Sequence, residues 1–337
     1  MPVIRVKNHT PLRIIGRTLL EAKSVLLFTH VNIDGDTIGS AMAMTRFLRR
    51  KGKTAWIVLS SDFPAYLRFL TDDGEGENVS RYCTADPEKD LPGLFRNPDV
   101  CLAVDCSDAG RFGRFSDLFF RGTTVSIDHH TTNNGFASMN YVDDRSANGE
   151  NIYRLFRAIG ETPTKEEAEA LYTAIVTDTG RFQYGAVNAE TLRIAAALYD
   201  CGIDQQNITV HVYQSERPEK VALHSRILNR VELLCGGQIA VSTMAYRDLA
   251  ETGATVDETE GVVETLRNMK GVEIACFIRE SKEGGVKVSL RSKRTANVAE
   301  VAKANGGGGH LRAAGFNSER TLPEETERMK RVLAELI

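Results

Sequence analysis

Long apolar runs are missing from this chain. No stretch of 18 consecutive apolar residues occurs, and the opening MPVIRVKNHTPL has no apolar core of the kind a signal sequence carries. A membrane span and a signal peptide are therefore not expected. A surplus of basic residues is missing too: 42 Lys+Arg stand against 45 Asp+Glu, a formal net charge of −3. Long duplex nucleic acid usually calls for a basic surface, so a general polyanion binder is not expected, while a local basic site stays open. The six cysteines (Cys83, Cys101, Cys106, Cys201, Cys235 and Cys276) form no C-x-x-C pair, and several sit in apolar runs such as DVCLAVDC. They read as small buried hydrophobes in a reducing cytoplasm, not as a zinc site or a disulfide framework. Histidine is also scarce. Of seven, two are adjacent, His129 and His130, at the end of an apolar run.

What is present is the alternation of an α/β protein. At 337 residues the chain is about twice the ~150 residues of one domain, so two domains are expected. Apolar runs at 24–30, 54–60, 99–105 and 123–128 read as buried strands. Helical patterns lie between them, including one near 11–22 with Thr10 as cap and Pro11 first, and one over 38–52 stopped by Gly52. Such alternation predicts a parallel sheet with helices on both faces. Residues 147–230 read as mostly helical, with Asn188 capping a helix that stops at Gly202. Beyond the polar QSERPE at 214–219 the pattern changes to two hairpins, around Gly236-Gly237 and Gly284-Gly285, interleaved with helices. That second part is a smaller α+β domain. The expected division is 1–215, a helical linker over 216–230, and 231–337.

The strand ends carry the chemistry. The first run ends in HVNIDGD, giving His30, Asp34 and Asp36; the third ends in Asp105; the fourth ends in Asp128-His129-His130. In an open parallel sheet ligands bind beyond the carboxyl ends of the strands, so three such endings point to one site. Imidazole and carboxylate without thiolate suit manganese, iron, zinc or magnesium, magnesium least. If the loop bends at Gly35, Asp34 and Asp36 can diverge toward two ions. Two ions roughly 3.5–4 Å apart activate a water and stabilise in-line displacement at phosphorus. Asp178 closes an apolar helix, a poor place for a lone carboxylate unless a cation is near.

HVNIDGDTIGS, VDCSD, SIDHH and VTDTG occur in the order of the four motifs that the chain resembles, those of the DHH phosphoesterase superfamily. GGGGHLRAAGF (306–316) resembles the glycine-rich motif of its companion DHHA1 domain. The resemblance runs from about residue 24 to 316, and the bacterial bifunctional oligoribonucleases and 3'-phosphoadenosine 5'-phosphate phosphatases are its most similar branch. Ile33 departs from the proline common there. The resemblance implies a catalytic domain over 1–215 and a nucleotide-binding domain over 231–337. It implies two divalent ions, most readily Mn²⁺: one on His30, Asp34 and Asp105, the other on Asp36, Asp105, His129 and Asp178. Asp128 would orient an imidazole, and His130 would face the scissile phosphate. If the backbone stays extended, the two histidines point to opposite sides. Arg291, Gly307, Gly308, Gly309, His310 and Arg312, with Lys287 beside them, would hold the nucleotide against the metal site. The implied substrates are short single-stranded RNA, linear dinucleotides and nucleotide phosphates, with no membrane partner. Oligomeric state stays open.

Each of these residues has a plainer reading. Asp34 or Asp36 can cap the following helix. Asp105 and Asp128 can be loop starts, and Asp178 a helix-end turn residue. Four glycines are more often a linker than a cradle, and Lys287 and Arg291 can be the wet face of a hairpin. Arg111 and Arg114, in DAGRFGRF, can reach phosphate or merely cover surface; the sequence does not separate them. His9, His211 and His224 read as structural, and Met42 and Met44 as helix-face or core residues. Two other functions fit the same motifs: a pyrophosphatase or exopolyphosphatase, which needs no nucleoside pocket, and a catalytically silent nucleotide sensor.

Overall fold

The computed structural model describes residues 6–337, with the side chain of His310 outside that description. The chain divides into two compact units, Met1–Ser215 and Glu216–Ile337. Among the described residues no helix is long and apolar enough to cross a membrane.

The first unit is built on six strands: β1 Ser24–Phe28, β2 Thr54–Val58, β3 Cys83–Thr84, β4 Val100–Val104, β5 Thr123–Asp128 and β6 Met139–Val142. Every neighbouring pair is parallel, in the order β3-β2-β1-β4-β5-β6. Side chains alternate across the sheet, so Val25 and Leu27 enter the core on one face and Leu26 and Phe28 the core on the other. Both faces are buried, which is why these strands read as unbroken apolar runs. The first face is covered by the helices Leu12–Glu21, Gly35–Arg50, Asn148–Ala158 and Lys165–Asp178. Met42 and Met44 are fully buried there. The second face is covered by short helical turns, Ala109–Phe115 and Ser116–Phe119, whose Phe112 and Phe119 pack edge or tilted against Phe28 at 5.3 Å each.

Local chemistry moves several expected boundaries. Pro11, not Thr10, occupies the cap of the first helix, and the Thr10 hydroxyl donates backwards to Asn8 O at 3.0 Å. The second helix starts at Gly35, three residues before the apolar pattern begins, because the Asp34 carboxylate caps it by accepting from Thr37 N at 3.0 Å. Gly35 is therefore the first helical residue and not a loop bend. β1 ends at Phe28, two residues before His30. The strands β3 and β6 are missing from the sequence reading because two residues, CT, and four, MNYV, make no apolar run. Asn188 does cap its helix, accepting from Glu190 N and Thr191 N.

The second unit has a mixed sheet in the order β11-β12-β10-β9-β8-β7: β7 Glu232–Leu234, β8 Ile239–Met244, β9 Ile274–Glu280, β10 Val286–Ser292, β11 Gly308–His310 and β12 Ala313–Ser318. The hairpins β7–β8 and β9–β10 are antiparallel, and only β8–β9 runs parallel. The helices Val298–Ala304 and Leu322–Ala334 cover one face through Val298, Val301, Met329 and Leu333. The helix Pro218–Leu228, expected as part of a linker, covers the other. Its Leu223 and Ile227 are fully buried beside Ala240 and Met244, so 216–230 is an integral layer of the second unit.

Candidate metal centre

The strand order reverses between β1 and β4, and the chemistry gathers beyond the carboxyl ends of β1, β4 and β5. His30 follows β1, Asp105 follows β4, and Asp128 closes β5. Two helices bring the rest. Asp36 lies in the first turn of Gly35–Arg50, and Asp178 is the last residue of Lys165–Asp178. These helices touch closely: a Cβ on Gly39 would lie 2.4 Å from Ala170 O, so only glycine allows the contact.

Asp105 is at the centre. One carboxylate oxygen, Oδ2, lies 3.5 Å from His30 Nε2, which is 3.6 Å from Asp34 Oδ2. The other, Oδ1, lies 3.3 Å from His129 Nε2 and 3.6 Å from His130 Nδ1. His129 Nε2 is also 3.7 Å from Asp178 Oδ2 and 3.9 Å from Asp36 Oδ2. The donor atoms of His30, Asp34 and Asp105 lie within 4.8 Å of one another, and so do those of Asp36, His129 and Asp178 and those of Asp105, His129 and His130. Asp105 Oδ1 is buried yet has no hydrogen-bond partner among the described residues. An orphaned carboxylate oxygen between imidazoles costs on the order of 1–3 kcal/mol or more unless something positive fills the gap. Asp105 also adopts a left-handed φ of +56°, a conformation aspartate tolerates at some cost. The donor set therefore fits divalent cations.

Electrostatics carry the same mark. Burial, then Asp105 and Asp178, hold the Asp36 carboxyl well above its ordinary range. Burial raises Asp178 to about 6, with His129 opposing and Asp105 assisting. Burial alone would lower the imidazoles of His30 and His129, but the Asp105 carboxylate overrides it and both are raised. Burial likewise opposes the rise at His130, where Asp128 prevails. Without a metal, the cluster shares protons among carboxylates that repel one another.

Supporting contacts aim the ligands. The two oxygens of Asp36 accept from Gly149 N at 2.9 Å and Asn148 N at 2.6 Å, the start of the helix Asn148–Ala158. Asp34 both caps its helix through Oδ1 and faces His30 through Oδ2, so the capping and site readings hold together. His129 Nδ1 lies 3.0 Å from Arg145 O, and His30 Nδ1 2.7 Å from Val31 O. With Nδ1–H given to those carbonyls, each Nε2 is free for the centre. Asp128 does not orient His129 through its ring. Its Oδ1 accepts from His130 Nδ1 at 2.8 Å and from His129 N, and its Oδ2 accepts from Asn133 at 2.8 Å. Nor do the two histidines diverge. The strand ends at Asp128, and their rings sit 4.5 Å apart at 68°, both beside Asp105. Asn133, Asn148, Gly149 and Arg145 were not legible as site residues. Asn133 alone had a signal, its place in HHTTNNG.

The candidates of the second unit are arranged differently. Register places Arg291 opposite Ala313, and Ala313 opposite His310, in one row of the sheet. Arg291 already donates to Glu264 Oε1 at 2.9 Å and Leu290 O at 3.1 Å, and Arg312 to Lys293 O at 2.5 Å. Gly307 and Gly309 serve packing: a Cβ on either would fall 2.2–2.4 Å from carbonyls of Gly315 and Ala313. Gly308 faces open space. Burial and the opposing Arg279 lower the Lys287 ammonium. His9 lies against Tyr141, His211 stacks on Phe69 at 4.7 Å, and His224 Nε2 is 2.8 Å from Glu258 O.

Residues 24–175 match the DHH family, N-terminal domain, and residues 236–337 match the DHHA1 domain. The chain belongs to the DHH/DHHA1 phosphoesterase superfamily. It is 31% identical over 306 residues to a Thermus thermophilus protein named "Bifunctional oligoribonuclease and PAP phosphatase NrnA", covering 90% of this chain and 87% of that one. A protein of the same name from Bacillus subtilis is 26% identical over 305 residues, 89% and 90% of the two chains. A solved exopolyphosphatase-related protein from Bacteroides fragilis superposes with a TM-score of 0.87 at 26% identity, covering 96% of this chain and 95% of that one.

Proposed function

We propose that this chain is a divalent-metal-dependent phosphoesterase that hydrolyses short oligoribonucleotides and linear dinucleotides to mononucleotides, and 3'-phosphoadenosine 5'-phosphate to AMP. The observation that carries this reading is the Asp105 carboxylate, whose two oxygens face two separate groups of ligating atoms while one oxygen stays unpaired. His30, Asp34 and Asp105 would hold one ion, and Asp36, Asp105, His129 and Asp178 the other. Bound there, such ions supply Lewis-acid polarisation of phosphoryl oxygens and a water acidic enough to attack phosphorus near neutral pH. Manganese suits the mixed imidazole and carboxylate donors.

His130 does different work. Its Nδ1–H is committed to Asp128, and the side chain is about a quarter exposed. Nε2 is thus the atom available to a substrate. Asp128 raises the imidazole, which favours its protonated form. Held this way, Nε2–H donates to a phosphoryl oxygen or passes its proton to the oxygen that leaves phosphorus. Arg291 and the 307–310 segment would grip the nucleotide, and the names of the Thermus and Bacillus relatives support the substrate class.

The name of the Bacteroides fragilis protein favours a second reading, hydrolysis of polyphosphate or pyrophosphate. A panel with manganese-loaded protein separates them: a linear dinucleotide, 3'-phosphoadenosine 5'-phosphate, a cyclic dinucleotide and pyrophosphate. Faster turnover of the first two supports the proposal. Preference for pyrophosphate supports the second reading, and tight dinucleotide binding without turnover marks a sensor.

A further inference from the structure

Arg111 and Arg114 come from one short turn, Ala109–Phe115, three residues apart. The structure treats them differently. Arg114 is occupied: it donates to Ala85 O, and its guanidinium lies over the Phe115 ring at 4.8 Å. The Arg111 guanidinium makes no hydrogen bond, ion pair or ring contact among the described residues. It is half-buried all the same. Its unpaired guanidinium nitrogens reach solvent, so they are open to a ligand without first breaking a contact within the chain.

Its position is well defined. The Arg111 carbonyl accepts from Val31 N at 2.8 Å, the residue after His30. Next to it, Phe112 is fully buried against Phe28 and Phe119, and the Phe112 carbonyl accepts from Ser60 Oγ at 3.1 Å. The turn is thereby pinned to the end of β1. Cys106, the residue after Asp105, links the two sides. Its Sγ donates to Asp108 O at 3.1 Å, and the same carbonyl accepts from Arg111 N at 3.4 Å. The backbone of Arg111 is therefore tied both to the residue after His30 and to the residue after Asp105.

Charge supplies the reason. Four carboxylates line the centre, Asp34, Asp36, Asp105 and Asp178. Two divalent ions would about neutralise them, leaving little attraction for a phosphate. The nearby arginines that could add charge are engaged: Arg145 and Arg154 both bind Asp143, and Arg181 lies over the Tyr213 ring at 4.0 Å. Resting on the phosphoesterase reading above, we infer that Arg111 binds a non-bridging oxygen of the scissile phosphate, so that the first unit carries its own phosphate clamp. A guanidinium fork suits two such oxygens, which an ammonium engages only as a point charge.

The test uses the full chain loaded with manganese, titrated calorimetrically with inorganic phosphate, and assayed on a linear dinucleotide. The Arg111→Ala protein should bind phosphate on the order of 10–100-fold more weakly than wild type and raise KM with unchanged metal content. Arg111→Lys should recover part of the affinity, and Arg114→Ala should match wild type. Unchanged phosphate affinity in Arg111→Ala, loss of metal from it, or no phosphate binding by wild type would each overturn the inference. If wild type turns over no phosphoester but Arg111→Ala still loses phosphate, the proposed function fails and the clamp stands. If dinucleotide turnover is present and Arg111→Ala changes neither KM nor phosphate affinity, the clamp fails and the function stands.

Discussion

The two units solve opposite problems with their polar side chains. In the first, carboxylates and imidazoles crowd together and leave Asp105 Oδ1 buried without a hydrogen bond. In the second, the arginines that suit phosphate are satisfied within the chain, Arg291 by Glu264 and Arg312 by Lys293 O. A cluster with an unmet electrostatic demand is poised for a cation. A satisfied cluster must first give up an internal contact, so any ligand it takes is bound against competition. Strong binding is thus expected in the first unit and adjustable, weaker binding in the second.

The harshest way to break this comparison is Asp105→Ala. It should lose metal from both groups and all measurable dinucleotide turnover, read by elemental analysis and a product assay; full metal content in that variant would refute the shared-carboxylate arrangement. His130→Ala should keep its metal and lose about 10²–10⁴ in kcat. Loss of metal there would make His130 a ligand, which the grouping of Asp105, His129 and His130 also allows geometrically. Manganese at a hundredfold excess over its Kd should stabilise the first unit by about 2.7 kcal/mol. Hydrogen exchange should show that protection near β1, β4 and β5 and not in β8–β10, and a chelator should reverse it. The smallest effect sharpens the second half of the comparison. Glu264→Ala frees Arg291 from a half-exposed ion pair, at a stability cost of about 0–1 kcal/mol. It should lower KM for a dinucleotide a few-fold, whereas Arg291→Ala should raise it; an unchanged KM in both removes Arg291 from substrate binding.

Legibility followed the same divide. The strand-end residues His30, Asp105 and Asp128 were readable because buried parallel strands write continuous apolar runs, and a polar residue ending such a run is conspicuous. The hairpins at Gly236-Gly237 and Gly284-Gly285 were readable from turn chemistry. The supporting residues were not. Asn148 and Gly149 act through backbone N–H groups, which have no side-chain signature. Arg145 acts through its carbonyl for the same reason. The paired histidines misled, because a period of two holds only while the backbone is extended, and the strand stops one residue before them.

By itself the sequence determined which chemistry this protein has available: acids and imidazoles without thiolate, placed where strands end, in a chain without membrane-spanning runs. Local rules suffice for that, since apolar periodicity, caps and turns depend on neighbours only a few residues away. Tertiary structure decided which atom does what. That Asp105 faces both groups, that Asp128 accepts from the His130 ring and not from the His129 ring, and that Arg111 is left unpaired among the described residues while Arg114 is not all depend on contacts between segments far apart in the chain. No local spacing encodes the partner that a folded neighbour will supply.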